Sequence, residues 1–145
     1  MDGNGVAAEG GLTVSVCWRI FAYANMTQDT AINRVDLMFR AFSDGNRLRI
    51  LHLLQGGEMC VGDIVSALDV PQARVSRHLA YLRRAGLVVA RKEGLWSFYS
   101  LAPPRTDFQK NLLGCLGKCF GEVPQIKADA ARAGKLRKSG GCCAR

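Results

Sequence analysis

The chain has little histidine, no long apolar run and no Cys-x-x-Cys pair, and each shortage removes a class of function. Only His52 and His78 occur among 145 residues, which leaves no basis for a metal centre built on several imidazoles. The apolar stretch Leu12–Ala24 is interrupted by Arg19 and is short for a membrane span. No basic region precedes it and no A-x-A cleavage site is evident, so it does not read as a secretory signal. There is no Gly-rich cofactor loop and no obvious acid–base pair, which argues against an enzyme. The expectation is a cytoplasmic protein with no membrane partner and no required cofactor. Its six cysteines (Cys17, Cys60, Cys115, Cys119, Cys142 and Cys143) are then thiols or metal ligands, not a disulfide framework.

What remains is an ordinary globular composition, 48% hydrophobic and 22% charged, of a length that suits one domain with a tail at each end. The net charge of +8 is unevenly placed. Residues 1–69 sum to −3, residues 70–95 to +5, residues 96–124 to +1 and residues 125–145 to +5. A short basic block on a near-neutral body is the footprint of a nucleic-acid binder, although a solvated surface gives the same signal.

Residues 1–29 are rich in Gly and Ala, without a sustained period, and read as a flexible arm in which Met26 is an alternative start. From Thr30 the pattern turns helical, with Val35, Met38, Phe39 and Phe42 on one apolar face. Ser43-Asp44 supplies a break and an N-cap, Leu48, Leu51 and Leu54 build a second helix, and Gly56-Gly57 ends it. A third helix begins near Cys60 and carries Ile64, Val65 and Leu68. Pro71 suits the first turn of a fourth, which runs to about Ala85 with Val75, Leu79 and Leu82 inward and Gly86 closing it. Leu87–Ala90 and Trp96–Leu101 then alternate as strands around Glu93-Gly94, a β-hairpin. Thr106–Phe120 reads as a last amphipathic helix with Phe108, Leu112, Cys115, Leu116, Cys119 and Phe120 on one side. A helical extension over Glu122–Leu136 and a mobile basic end follow. The domain plan is an arm (1–29), a core (30–121) and a basic extension with vicinal cysteines (122–145).

Helices followed by a basic hairpin define a mainly α fold with a β-hairpin wing, a winged helix-turn-helix. Its second helix can enter a major groove about 12 Å wide, leading with its N-terminal side chains. Gln72, Arg74, Ser76 and Arg77 occupy those turns, where Gln pairs with adenine and Arg with guanine. Arg83 and Arg84 suit phosphates, and Arg91 and Lys92 are placed at the hairpin tip, within reach of the minor groove or backbone. The bland readings stand beside these: a solvent-facing Ser76 and a half-buried, structural His78 next to Leu79.

The stretches LMFRAFSDGNRLRILHLL, GEMCVGDIVSAL and PQARVSRHLAYLRRAGLVVARKEGLWSFYSL, in that order within a similarity covering roughly residues 34–120, resemble the ArsR-type winged-helix metalloregulators. The resemblance implies a homodimer that represses a promoter and leaves its double-stranded operator when a toxic metal or metalloid binds. It places Gln72, Ser76, Arg77 and His78 in the recognition-helix motif. Pro71 stands where the family usually has Ser, and Arg74 where Thr is common, departures that leave DNA binding expected but the operator sequence open.

By the same resemblance, the segment around Cys60 corresponds to ELCVCD, whose two cysteines bind soft metals. Here Gly62 replaces the second, so other sulfurs must complete that site. A helix N-terminus favours thiolate, while a small buried hydrophobe is the competing role for Cys60. Cys115 and Cys119, four apart on a helix, share a face and can hold one ion, unless both are small residues in a dimer contact. The vicinal Cys142-Cys143 pair can be a third ligand, a delivery arm or a bystander, and Cys17 belongs to the N-terminal arm. Thiolates without imidazole suit trivalent arsenic or antimony in a pyramidal site. The expected ligands are Cys115 and Cys119, with Cys60 or a tail cysteine. Cd(II) or Pb(II), or an oxidant or persulfide acting on a dithiol of Cys60 with Cys115 or Cys119, are the alternative signals.

Overall fold

The computed structural model describes residues 31–141. The N-terminal arm with Cys17 and Met26, and the Cys142-Cys143 pair, lie outside the described residues. Backbone proximity divides the chain into Met1–Asp36 and Leu37–Arg145. Of the first unit only residues 31–36 are described, and they are helical.

Helix α1 covers residues 31–42. Its apolar residues divide differently from the expected single face: Met38 and Ala41 are buried, while Phe39 is 55% exposed. Phe39 meets Phe108 instead, ring centroids 5.5 Å apart. Asp44 has extended backbone and accepts from the Arg47 N–H at 3.0 Å, capping α2 (Gly45–Gln55). Ile50, Leu51, Leu53 and Leu54 of α2 are buried, and Leu48 is only partly so.

After α2 comes a strand that periodicity cannot detect, β1 (Met59–Cys60), because two residues carry no period. Cys60 then caps α3 (Val61–Leu68), its sulfur accepting from the Asp63 N–H at 3.4 Å. Helix α4 spans Gln72–Arg84. Pro71 is its N-cap, one position earlier than the first-turn placement expected for it, and contributes no side-chain cap.

Val75, Leu79 and Leu82 of α4 are fully buried, as the pattern requires. Its C-terminus closes in a Schellman turn: Gly86 N–H donates to the Arg83 carbonyl and Leu87 N–H to the Leu82 carbonyl, each at 3.0 Å. Gly86 adopts φ +73°, a left-handed backbone that costs a β-carbon about 1–2 kcal/mol. Leu82 and Leu87, the apolar pair such a turn brings together, are both sealed from solvent.

The wing is β2 (Val88–Glu93) and β3 (Trp96–Leu101), antiparallel from Val88↔Leu101 to Glu93↔Trp96 around Gly94-Leu95. With β1 on its other side, β3 is the middle of a three-stranded sheet. Helix α5 (Asp107–Cys119) is capped by the Thr106 side chain, which accepts from the Gln109 N–H. The single apolar side expected of α5 divides between core and solvent, with Leu116 alone of it fully buried. Gln109, Leu113 and Leu116 are buried, whereas Phe108, Cys115 and Cys119 are exposed.

Helix α6 (Pro124–Lys138) starts with Pro at its first position and packs on α2 and α3. Its Asp129 is 1% exposed, a burial tolerated only with partners. Arg49 of α2 donates to it twice, at 2.6 and 2.9 Å, and Arg132 once, at 2.6 Å. The same two guanidinium groups bond the last carbonyls of α3, Arg49 to Leu68 and Arg132 to Ala67. The Asp129 hydrogen bond raises the Arg49 pKa above its usual value, so the Arg49 guanidinium stays charged. Among the described residues, no helix is long and apolar enough to cross a membrane.

Candidate nucleic-acid interface and thiol site

Burying Val75, Leu79 and Leu82 turns the opposite side of α4 to solvent, so Gln72, Arg74, Ser76, Arg77, Arg83 and Arg84 are all exposed. Their helix begins without a side-chain cap, leaving donors of its first turn to solvent or to an anion.

His78 is half-buried, its Nδ1 3.8 Å from an Asp44 carboxylate oxygen. Burial lowers its pKa below the ordinary histidine value; Asp44 opposes this, while Arg47, Arg77 and Arg74 add to it. The imidazole is therefore neutral near pH 7. A groove between the start of α2 and α4 is lined by Asp44, Asn46, Arg47, Arg74, Arg77 and Tyr81 along with His78. Arg47 lies over the Tyr81 ring at 4.4 Å, and Arg84 lies 5.4 Å from the same ring, two cation–π contacts on one side chain of α4. Sequence reading found Asp44 as a cap but not Asn46 and Arg47 as groove walls, because that role depends on how α2 crosses α4.

The wing corrects one placement. Arg91 lies inside β2, opposite Phe98, and the tip is Gly94-Leu95, with Leu95 fully exposed. Arg91 stacks over the Phe98 ring at 4.7 Å and bonds Glu58 at 2.7 Å as well as Glu93. Glu58, whose carboxyl is held below the usual range by Arg91, was not anticipated as a wing residue. Lys92 is exposed beside Glu93, opposite Ser97.

The two thiols on α5 lie together. The Cys115 thiol donates to Cys119 Sγ at 3.0 Å, and both side chains are exposed. That hydrogen bond, aided by desolvation and the neighbouring charge, raises the Cys115 pKa. An ion that binds here must displace protons, so its affinity rises with pH. Cys60 differs: it is 1% exposed and occupied in capping α3. Among the described residues, no three His, Cys, Asp or Glu side chains are grouped to hold a metal.

A bared polar helix beside an antiparallel wing defines a winged helix-turn-helix, the DNA-binding class of transcription regulator. The sequence profile described as "Bacterial regulatory protein, arsR family" matches residues 44–89. The arsenical resistance operon repressor of Escherichia coli (strain K12) is 48% identical over 89 residues, 61% of this chain and 76% of that protein. The chain belongs to the ArsR family. HlyU from Vibrio cholerae N16961 superposes with a TM-score of 0.56 at 33% identity, covering 63% of this chain and 97% of that one. Mb0332 from Mycobacterium bovis, described as a homodimeric winged helix-turn-helix DNA-binding domain, gives 0.56 at 29% identity, over 66% and 85% of the two chains.

Proposed function

We propose that this regulator is a homodimeric repressor that leaves its operator when trivalent arsenic or antimony binds cysteine thiolates. The observation that carries the reading is the exposed Cys115–Cys119 pair, two soft donors 3.0 Å apart on one helix face. Thiolates select soft ions. Cys60, a tail cysteine or solvent hydroxide completes the pyramid. The similarity to an arsenical repressor across three quarters of its length supports the same choice.

The dimer follows from the same face. Phe108, Leu112, Cys115 and Cys119 run along the outer side of α5, and Phe108 stacks on the exposed Phe39. A second copy covering this apolar strip buries it and puts the sulfurs at the subunit boundary. Two recognition helices then sit one duplex turn apart, ~34 Å, and read an imperfect palindrome through Gln72, Arg74, Ser76 and Arg77. Arg83 and Lys92 take phosphates. His78, neutral and half-buried, orients the helix from beneath, and Arg91 braces the wing.

Release is allosteric: the ion binds the DNA-free pose better, and a coupling of about 1–3 kcal/mol changes operator affinity ~5–150-fold. The decisive measurement is fluorescence anisotropy on an upstream DNA fragment, titrated with arsenite, antimonite, cadmium and zinc under a non-thiol reductant. Arsenite and antimonite are expected to release the DNA, and C115S/C119S is expected to bind DNA and ignore both. A normal response in that variant removes the α5 thiols from the mechanism. With about eight phosphates neutralised per dimer, the log–log salt slope is roughly −7; a slope near zero ends the groove-binding reading.

The sulfur separation also favours a second signal, oxidation of the pair to a disulfide with two electrons passed to the oxidant. Mass spectrometry separates the cases: loss of two hydrogens, or a bound metalloid.

A further inference from the structure

We propose that Leu95, at the tip of the wing, enters the minor groove beside each half-site and selects A·T steps there by excluding guanine. This reading rests on the operator binding proposed above and needs none of the thiols.

Exposure singles the residue out. Leu95 is 101% exposed, whereas the next of the exposed large hydrophobics among the described residues, Ile32, reaches 61%. The turn holds it there. Glu93 pairs with Trp96 across a two-residue loop, and Gly94 takes φ +59° while Leu95 stays out of the left-handed region. That is the pattern of a type II′ turn, whose backbone follows the twist of its strands. The six residues of β2, at about 3.3 Å each, carry the turn roughly 20 Å from the base of the wing.

The wing's charges leave that tip to an apolar side chain. Arg91 is engaged by Glu58 and Glu93 and stacks on Phe98, so the nearest arginine is held within the sheet. The same brace stiffens the hairpin, and a tip already ordered loses less freedom on binding. Lys92 points from the other face of the ribbon, opposite Ser97, and is exposed to meet the phosphates that border the groove.

The joint with α4 decides the occupant. Only Ala85, Gly86 and Leu87 separate α4 from β2, and the Leu87 carbonyl accepts from the Ala102 N–H at 2.9 Å, closing the base of the wing. With α4 in a major groove, the next groove along the duplex is minor and about 6 Å wide, room for one side chain at a turn but not for a helix. Its floor shows only acceptors at A·T pairs, while guanine adds the N2 amino group. Leu95 has nothing to accept from that amino group, which stands up into the space the side chain needs. Apolar side chains are the ones that minor-groove proteins press against base steps.

The test uses the full-length protein on the upstream fragment that it binds. Hydroxyl-radical footprinting is expected to show sugars protected in the minor groove beside each half-site, at A·T steps, and L95A is expected to expose them. Those steps are then changed to G·C or to inosine·C, which lacks only the N2 amino group. The unaltered protein is expected to bind the G·C fragment about tenfold more weakly, and the inosine fragment within about twofold of the original. L95A is expected to bind the three fragments within about twofold of one another, and L95M, apolar and of similar size, to discriminate as the unaltered protein does. Because the Leu95 side chain is wholly in solvent, L95A unfolds at an unchanged temperature. The proposal is overturned if L95A protects the same sugars, or if the G·C and inosine·C fragments are bound alike. Either result with a steep salt dependence leaves the reading by α4 standing and turns the tip toward a protein partner. A salt slope near zero overturns both.

Discussion

Helices α4 and α5 are each thirteen residues long, and they divide their apolar residues in opposite ways. Helix α4 turns Val75, Leu79 and Leu82 inward and leaves an outer face of Gln, Arg and Ser. Helix α5 buries Leu113 and Leu116 yet also shows solvent Phe108 and two thiols. A helix with one apolar face has one neighbour to satisfy; a helix with two has a second neighbour still to come. The first arrangement suits a ligand that is all charge and hydrogen bonds, and the second suits another protein surface.

That contrast can be broken at several points. Leu79→Ala empties a fully buried site and is expected to cost about 2–5 kcal/mol of folding stability, measured by urea unfolding. Phe108→Ala, on the outer face of α5, is expected to cost the fold no more than about 1.5 kcal/mol, the value of an aromatic pair. It should weaken self-association by about 2 kcal/mol in sedimentation equilibrium, as loss of a central interface aromatic does. Equal effects of these two substitutions on folding would erase the distinction. Arg77→Ala leaves the fold unchanged and is expected to weaken operator binding by about 1–3 kcal/mol, mostly for one base position.

The smallest effect is that of His78. Its pKa is lowered in the folded state, so the unfolded chain binds the proton more readily. Stability is complete above the ordinary histidine value near 6.5 and falls as pH drops through the lower folded value. His78→Gln should flatten that part of the stability profile while Asp44, Arg47, Arg74 and Arg77 remain in place. An unchanged slope would place its origin elsewhere.

The features legible in the sequence were those set by neighbours along the chain. The Asp44 cap, the Gly86 turn, the wing strands and the inward residues of α4 all follow from spacing and residue type. Features set by distant residues were not legible. Periodicity found an apolar side of α5 but not which of two sides is buried, because Leu113 and Gln109 are chosen by α2 and Gly86. Arg91 reads as a tip residue until Glu58, 33 positions earlier, takes hold of it. The burial of Asp129 depends on Arg49, 80 positions away, and a lone carboxylate in a basic segment gives no hint of it. Of the candidate site, the exposed face of α4 and the i, i+4 thiols were visible; the groove walls on α2 were not.

Gln109 is 2% exposed, and its side-chain amide donates to the Gly86 carbonyl at 3.1 Å while its oxygen accepts from the Arg105 N–H. One residue further on, the Leu87 carbonyl accepts from the Ala102 N–H, where the wing returns to the body. The reading helix, the wing and the thiol helix are thus pinned to a single two-residue pivot. A rotation of α5 would reach that pivot through the Gln109 amide, as a crank reaches a shaft through one pin.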